Sequence, residues 1–198
     1  MGNYNMSTIT SNIKGILRSY PLMFTIIAII LSLVYKLNSL VFLIILISIT
    51  SIVNKLVSKP LLFKLLDILD LKHIALRPSG CVNSSNFINE LDPTKLSTTY
   101  GMPSGHSVES MLISVFLVMY ILKYHTNTKK RSLLIGFIIL IGCGVCYSRV
   151  LLGCHTIPQI IIGGIIGSLC GYYGFKLWDK LNSAQSNHDY KFDAIIVK

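Results

Sequence analysis

Five long apolar runs, each close to the length of a membrane-spanning helix, dominate this chain of 198 residues. They cover residues 20–36, 38–57, 107–124, 132–148 and 157–178. A helix needs about 20 predominantly apolar residues to cross the hydrocarbon core of a bilayer. The composition agrees, since 13% of the residues are charged, compared with about 25% in a typical soluble domain. The sequence therefore predicts an all-α integral membrane protein that crosses the bilayer several times.

A further segment, residues 60–77, is apolar but carries a polar stripe. Pro60 suits the first turn of a helix, and Lys64, Asp67 and Asp70 follow at intervals of three among leucines. The stripe fits either an interfacial helix or a sixth span whose polar side chains face the inside of a bundle. If the segment spans, twelve Lys and Arg residues lie on one side of the membrane, five lie on the other side and one lies within the segment. If it does not span, nine of these residues lie on each side. The positive-inside rule therefore favours six spans with both termini in the cytosol.

This topology sets the domain organisation. We expect a cytosolic N-terminal segment over residues 1–19, a single membrane domain over 20–178 and a polar cytosolic tail over 179–198. The loop 77–106 and the turn 149–156 then share the extracytosolic face. In a eukaryotic cell, or for a viral protein made in such a host, the topology predicts the endoplasmic reticulum, with this face toward its lumen.

The chain is basic, with a formal net charge of +10. No basic stripe is interleaved with the aromatic residues that would stack on bases, so the charge does not indicate nucleic-acid binding. Cytosolic loops beside an anionic lipid surface explain it better. The sequence therefore predicts membrane lipid as the partner and no nucleic acid, and it does not indicate an oligomeric state.

The five cysteines lie mostly in apolar segments: Cys81, Cys143, Cys146, Cys154 and Cys170. Cys143 and Cys146 form a C-x-x-C pair, but inside a predicted span and without a second pair of ligands. We interpret all five as small packing residues. The sequence therefore predicts no metal and no cofactor.

Cationic, hydroxyl and imidazole side chains gather on the predicted extracytosolic face. They are Lys72, Arg77, Ser104, His106, Arg149 and His155. The stretch Pro103-Ser-Gly-His106 opens a predicted helix, whose first backbone N–H groups can face an anion. Two arginines, a helix N-terminus and two histidines, without acidic metal ligands, suit metal-free phosphoryl transfer. That chemistry needs donors for the phosphoryl oxygens, one nucleophile and one acid.

Three stretches, KHIALRP, PSGH and SRVLLGCH, resemble the signatures of the type 2 phosphatidic acid phosphatase superfamily of membrane lipid phosphatases. The resemblance covers roughly residues 60–175 and implies a six-transmembrane-helix bundle of the acid phosphatase and vanadium haloperoxidase type. It implies that His155 attacks phosphorus and becomes phosphorylated, while His106 donates a proton to the leaving oxygen. The implied ligands of the phosphoryl oxygens are Arg77, Arg149, Ser104 and the amide of Gly105.

Two positions depart from the superfamily's pattern. Lysine usually stands seven residues before the first arginine, where this chain has Asp70, and Lys72 stands five before Arg77. On a regular helix that offset turns Lys72 about 140° away from Arg77, so Lys72 can bind phosphate only if the helix ends early. The usual aspartate four residues after the nucleophile is Gln159. Its carbonyl can orient the ring of His155 but brings no negative charge.

Glu109 stands three residues after His106, nearly on the same face of the predicted helix. It has two interpretations. It is an acid near a helix N-terminus, where the helix dipole favours negative charge, or a carboxylate that hydrogen-bonds His106 and raises its pKa.

The dolichyl-diphosphatase branch resembles this chain in further places. Tyr147-Ser-Arg-Val and His155-Thr-x-x-Gln159 match that branch, which has glutamine at the aspartate position and a lumenal site. The resemblance implies hydrolysis of a polyprenyl diphosphate to the monophosphate. The alternatives are a broad phosphatase for phosphatidate and other lipid phosphates, a phosphotransferase, and a catalytically silent membrane scaffold.

Overall fold

The computed structural model describes residues 23–34, 37–78 and 100–184. Within these ranges the chain is helical apart from turns, short connections and one antiparallel bridge between Leu76 and Tyr100. The helices are α1 (Met23–Val34), α2 (Asn38–Val53), α3 (Lys59–Ile68), α4 (Lys72–Ala75), α5 (Gly105–Tyr124), α6 (Thr128–Leu151) and α7 (Ile157–Ala184). A π-helical turn, Asn54–Ser58, joins α2 to α3.

Four helices in the described ranges are long and apolar enough to cross a membrane: Asn38–Ile68, Gly105–Tyr124, Thr128–Leu151 and Ile157–Ser183. In the most apolar part of each, at most 39% of the residues are buried inside the protein, which leaves apolar side chains to face lipid. Helix α1 is apolar but shorter. The structure therefore agrees with an all-α membrane protein, while the predicted count of six spans is not confirmed.

The segment 60–77 does not form a span of its own. Helices α2 and α3 and the π-helical turn make one continuous helix of 31 residues, which at ~1.5 Å per residue exceeds the ~30 Å hydrocarbon core. Pro60 accounts for the turn, because proline has no N–H and its ring clashes with the carbonyl four residues earlier in an α-helix. The backbone widens before it, and the N–H of Lys59 bonds to the carbonyl of Asn54. Residues 60–77 therefore extend the second span and then turn.

Helix α5 is central and packs against α2, α6 and α7. Its closest neighbour is α7, which runs parallel to it along a stripe of glycines. An added Cβ at any of these positions would press on an α5 carbonyl oxygen. The pairs are Gly163 with Ser104, Gly167 with Val108 and Gly171 with Leu112. Small residues at this four-residue spacing let two backbones approach closely inside a membrane, so the stripe fixes α7 against α5.

Replacing Gly167 with alanine should destabilise the protein, because the new Cβ would lie closer than van der Waals contact to the carbonyl oxygen of Val108. Overpacking of this kind costs about 1–3 kcal/mol. Thermal unfolding in detergent measures it. Gly164→Ala is the matched control, since its Cβ would meet only the side chain of Met111, at 3.7 Å. Equal melting temperatures for the two variants would contradict the role of the stripe.

An apolar core lies toward the end of α5 that is distant from Gly105. Its buried residues are Leu43, Ile47, Leu112, Ile113, Phe116, Phe175 and Trp178. The ring of Phe116 makes T-shaped contacts with Phe175 and Trp178, with centroids 5.7 and 6.4 Å apart. Such aromatic contacts stabilise beyond the apolar area that they bury. This cluster holds α2, α5 and α7 together and leaves the other end of the bundle for polar side chains.

Helix α7 extends past the boundary predicted at residue 178. It continues to Ala184, and Asp179 forms an ion pair with Lys123 and accepts a hydrogen bond from Tyr124 Oη at 3.2 Å. These contacts tie the start of the predicted tail to the end of α5. The N-terminal segment 1–19 and residues 185–198 lie outside the described ranges.

Candidate active site

Backbone hydrogen bonds join the three motif-bearing segments at one end of the bundle. The N–H of Gly101, before α5, donates to the carbonyl of Ala75 at the end of α4, at 2.7 Å. The N–H of Ser104 donates to the carbonyl of Gln159, in the first turn of α7, at 3.2 Å. The structure thus brings together the segments that carry Arg77, the PSGH stretch and the start of α7.

The connection between α6 and α7 positions Arg149 and His155. Gly153 has φ +65°, a conformation that glycine adopts readily. The N–H of Cys154 bonds to the carbonyl of Arg149 at 3.0 Å, and that of Gly153 to Val150 at 2.9 Å, which is a Schellman motif. The N–H of His155 also donates to the carbonyl of Arg149, at 3.2 Å. Both side chains are buried, with 1% of Arg149 and 3% of His155 exposed.

Gln159 orients the imidazole of His155. Its Nε2 donates to the carbonyls of Ile74 and Leu76, at 2.8 and 2.7 Å. With both amide protons committed to carbonyls, Oε1 faces His155, and it lies 3.1 Å from Nδ1. An amide oxygen only accepts hydrogen bonds, so Nδ1 carries the proton and Nε2 carries the lone pair. In the part of the chain that the structure describes, Nε2 makes no hydrogen bond.

The environment keeps His155 neutral. Burial is the largest cause that lowers the pKa of His155, followed by the charge of Arg77. The charges of Arg149 and Lys59 lower the pKa further, and the hydrogen bond with Gln159 raises it. The pKa of His155 is therefore lowered to about 3. At neutral pH the ring is therefore uncharged, although three cations surround it. A neutral imidazole with an available Nε2 has the protonation state that a nucleophile requires.

The start of α5 offers hydrogen-bond donors. Ser104 is the N-cap residue, and the N–H of Val108 closes the first helical turn on the carbonyl of Ser104 at 3.0 Å. The N–H groups of residues 105–107 precede that bond, as at any helix N-terminus, and can bind an anion. The hydroxyl of Ser104 is buried without a hydrogen bond to any described residue. His106, half-buried, is the second residue of α5, as the motif predicts.

The structure places Lys72 away from these groups. Helix α4 does end before Arg77, and Leu76 is extended with φ −75° and ψ 147°. However, Nζ of Lys72 pairs with the carboxylate of Asp67 at 3.3 Å, with more than half of both side chains exposed. Within the described ranges it makes no hydrogen bond or ion pair with a predicted site residue. The predicted role of Lys72 as a phosphate ligand therefore gains no contact to support it.

The structure gives Glu109 a partner that neither of its two interpretations names. It is the fifth residue of α5, and the first turn of that helix contains no acid. Its carboxylate accepts a hydrogen bond from the hydroxyl of Ser51 on α2, and that is the partner the structure gives it, rather than His106. Glu109 therefore ties α5 to α2 one turn below the site.

Cys154, next to the candidate nucleophile, is disulfide-bonded. Cys143, Cys146 and Cys170 are free thiols, and Cys81 is the remaining cysteine of the sequence and lies outside the described ranges. The interpretation of all five cysteines as packing residues is therefore wrong for Cys154. A disulfide depends on spatial proximity, which spacing along the sequence does not reveal.

Lys59 is a site residue that the motifs do not contain. Its Nζ donates to the carbonyl of Tyr100 at 3.5 Å, beside the bridge that joins Tyr100 to Leu76. Its charge is one of three that act on His155. As for metal ions, the described residues contain no cluster of three or more His, Cys, Asp or Glu side chains that could hold one.

Comparisons with known proteins agree with the motifs. The family model of the PAP2 superfamily matches residues 37–183, which include every candidate site residue. Lipid phosphate phosphatase epsilon 1, chloroplastic, of Arabidopsis thaliana is 32% identical over 92 residues, or 46% of this chain and 33% of that protein. Dolichyldiphosphatase 1 of Mus musculus is 34% identical over 119 residues, or 56% of this chain and 47% of that protein. The chain thus spans between a third and a half of the length of these relatives, and no solved structure matches it.

Proposed function

The chain belongs to the PAP2 superfamily, and on that premise we propose that it is an integral membrane phosphatase that hydrolyses a polyprenyl diphosphate to the monophosphate. The observation that carries the proposal is the state of His155. Its ring is buried and neutral, its Nδ1 donates to Gln159, and its Nε2 is left for attack among three cations. The substrate class rests on similarity to proteins named dolichyldiphosphatase and on Gln159 at the branch-specific position.

The reaction uses two histidines in sequence. Nε2 of His155 attacks the terminal phosphorus, so a P–N bond forms as the bond to the bridging oxygen breaks. The lipid monophosphate leaves and takes a proton from His106. Water then attacks the phosphohistidine, His106 accepts its proton, and inorganic phosphate leaves with the bonding electron pair returned to Nε2. The two arginines and the donors at the start of α5 hold the phosphoryl oxygens, and no step requires a metal.

A broader substrate range is the second candidate. Two Arabidopsis thaliana relatives are named lipid phosphate phosphatase epsilon, which favours phosphatidate or a related lipid phosphate. The groups that would hold the transferred phosphoryl group are common to both candidates, so the difference must lie in what binds the rest of the substrate.

We place the site on the extracytosolic side. The α5–α6 hairpin lies at the opposite end of the bundle and carries four basic residues: Lys123, Lys129, Lys130 and Arg131. Because residues 60–77 do not form a separate span, the Lys and Arg residues of the chain divide evenly between the two sides, so the positive-inside rule does not decide between the two ends. The disulfide of Cys154 supports the extracytosolic assignment, because disulfides persist in oxidising compartments such as the lumen of the endoplasmic reticulum. Helix α7 then ends in the cytosol.

Phosphate release by protein purified in detergent tests the function. With chelator present, polyprenyl diphosphate should be turned over faster than phosphatidate. A strict need for added metal would contradict the mechanism, and faster turnover of phosphatidate would favour the second candidate. In sealed microsomes, a short-chain, water-soluble diphosphate should be hydrolysed only after permeabilisation. Equal activity in intact microsomes would place the site in the cytosol.

A further inference from the structure

The π-helical turn directs the side chain of Lys59 toward the candidate active site. In a regular α-helix, a residue five positions after Asn54 would point about 140° away from it. Here the N–H of Lys59 bonds to the carbonyl of Asn54. An i→i+5 bond marks a wider turn with more residues per turn than an α-helix, so the angle between the two side chains is smaller than in a regular α-helix. Asn54 is buried against the start of α5, where its Nδ2 lies 3.7 Å from the position of a Cβ on Gly105.

Contacts with Tyr100 hold Lys59 at the mouth of the site. Its Nζ reaches the carbonyl of Tyr100 at 3.5 Å, and one turn further along α3 the ring of Phe63 packs on that of Tyr100, with centroids 4.0 Å apart. Tyr100 in turn bridges to Leu76, the neighbour of Arg77. The bond to Tyr100 is long and uses one of three ammonium protons. In the described ranges no carboxylate lies within 4.0 Å of Nζ of Lys59, although the charge of Glu109 on α5 acts on it from farther away.

We propose that Lys59 is a third phosphate-binding cation of this site, and that it binds the second phosphoryl group of a diphosphate substrate. The proposal rests on the function proposed above and adds the residue that distinguishes a diphosphate from a monophosphate. It also assigns to Lys59 the place that the motif-based prediction gave to Lys72.

A diphosphate substrate and a monophosphate substrate differ in whether their leaving group can use Lys59. When His155 attacks the terminal phosphorus of a diphosphate, the leaving group is a phosphate monoester whose negative charge grows as the bond breaks. An ammonium group beyond the two arginines neutralises that charge. When a monophosphate is attacked, the leaving group is an alcohol, which offers Lys59 no anion to bind.

Electrostatics supports an outer position for Lys59. Of the three cations that lower the pKa of His155, Arg77 acts most strongly, Arg149 less and Lys59 least. A weaker effect of Lys59 on the ring is what we expect of a cation that binds the second phosphoryl group rather than the attacked one. An ordinary snorkelling lysine would instead be exposed, as Lys55 and Lys64 on the same continuous helix are, whereas Lys59 is half-buried.

The test compares Lys59→Met with Lys64→Met, which removes an exposed lysine from the same helix. Inorganic pyrophosphate and inorganic phosphate serve as competitive inhibitors, against whichever lipid substrate the wild-type protein hydrolyses. In Lys59→Met, pyrophosphate should inhibit about 10- to 100-fold more weakly, which is the loss expected for one charge-assisted contact. Inhibition by phosphate should stay within about threefold, as for a surface substitution. Lys64→Met should match the wild-type protein, and Lys59→Arg should recover most of the pyrophosphate binding.

Several outcomes would overturn the proposal. If Lys59→Met weakened inhibition by phosphate and inhibition by pyrophosphate equally, the residue would only shape the site. Unchanged pyrophosphate inhibition, or a selective loss in Lys72→Met instead, would assign the role elsewhere. Because the inhibitors are inorganic, the test is separate from the lipid specificity. If the wild-type protein prefers phosphatidate but Lys59→Met still loses pyrophosphate selectively, the function proposed above fails and the role of Lys59 stands.

Discussion

His155→Ala should abolish phosphate release, with a loss of at least about 10⁴-fold, because an alanine offers no atom to form the covalent intermediate. A radiolabelled terminal phosphate supplied to the wild-type protein should give an acid-labile phosphoenzyme on rapid quenching, and the variant should give none. His125→Ala is the matched control, since His125 lies just after α5 at the opposite end of the bundle. Residual turnover in His155→Ala near the wild-type rate would remove His155 from the mechanism.

The pH dependence provides a second check on the same residue. Burial and the charge of Arg77 hold the pKa of His155 at about 3, so the ring stays neutral as the pH falls from 8 to 5. Single-turnover phosphorylation should therefore not decline tenfold per pH unit below about 6.5, as it would for an ordinary histidine nucleophile. A decline of that form would show that His155 titrates like an ordinary histidine and would contradict its neutral state.

Sequence patterns located most of the bundle, because apolar runs and helix-start signals are local. The starts of α5 and α7 follow from PSGH and from the HTIPQ stretch, and the convergence of the motifs follows from alternating spans. The stripe at Gly163, Gly167 and Gly171 is equally legible as a small-xxx-small pattern, although the motif analysis did not use it.

Other features depend on the course of the backbone or on contacts between residues distant in the sequence, and they could not be predicted. A periodicity of 3.6 residues assumes a regular α-helix, so it places Lys59 on the wrong face of a helix that contains a π-helical turn. The division of Lys and Arg residues, which takes no account of helix continuity, made 60–77 look like a separate span. The partners of Gln159 are carbonyls 85 and 83 residues earlier in the chain, and no local pattern encodes them. The sequence indicates that Gln159 can orient His155, but it does not reveal the carbonyls that hold the amide.

Gln159→Glu should reduce phosphate release by about 100-fold at neutral pH, a loss typical of removing a group that orients a catalytic ligand. Glutamate has the same length as glutamine, so the substitution tests chemistry rather than reach. An ionised carboxylate has no proton to donate, and it would face the carbonyls of Ile74 and Leu76, which the amide now contacts at 2.8 and 2.7 Å. The side chain would turn away from them, and His155 would lose the partner that fixes its tautomer.

The pH profile of Gln159→Glu distinguishes this account from a general loss of structure. A protonated glutamic acid resembles glutamine, since it donates one hydrogen bond and accepts another. The activity of the variant relative to wild type should therefore rise as the pH falls through the pKa of the new carboxyl group. A silent scaffold that lacks an aspartate predicts the opposite, because an added negative charge would stabilise the imidazolium. If the activity of Gln159→Glu at neutral pH equals or exceeds that of the wild type, the amide is a defect. If the activity is low at neutral pH and recovers in acid, the amide is required. The two carbonyls of α4 make the second result the expected one, because they accept from an amide and repel a carboxylate.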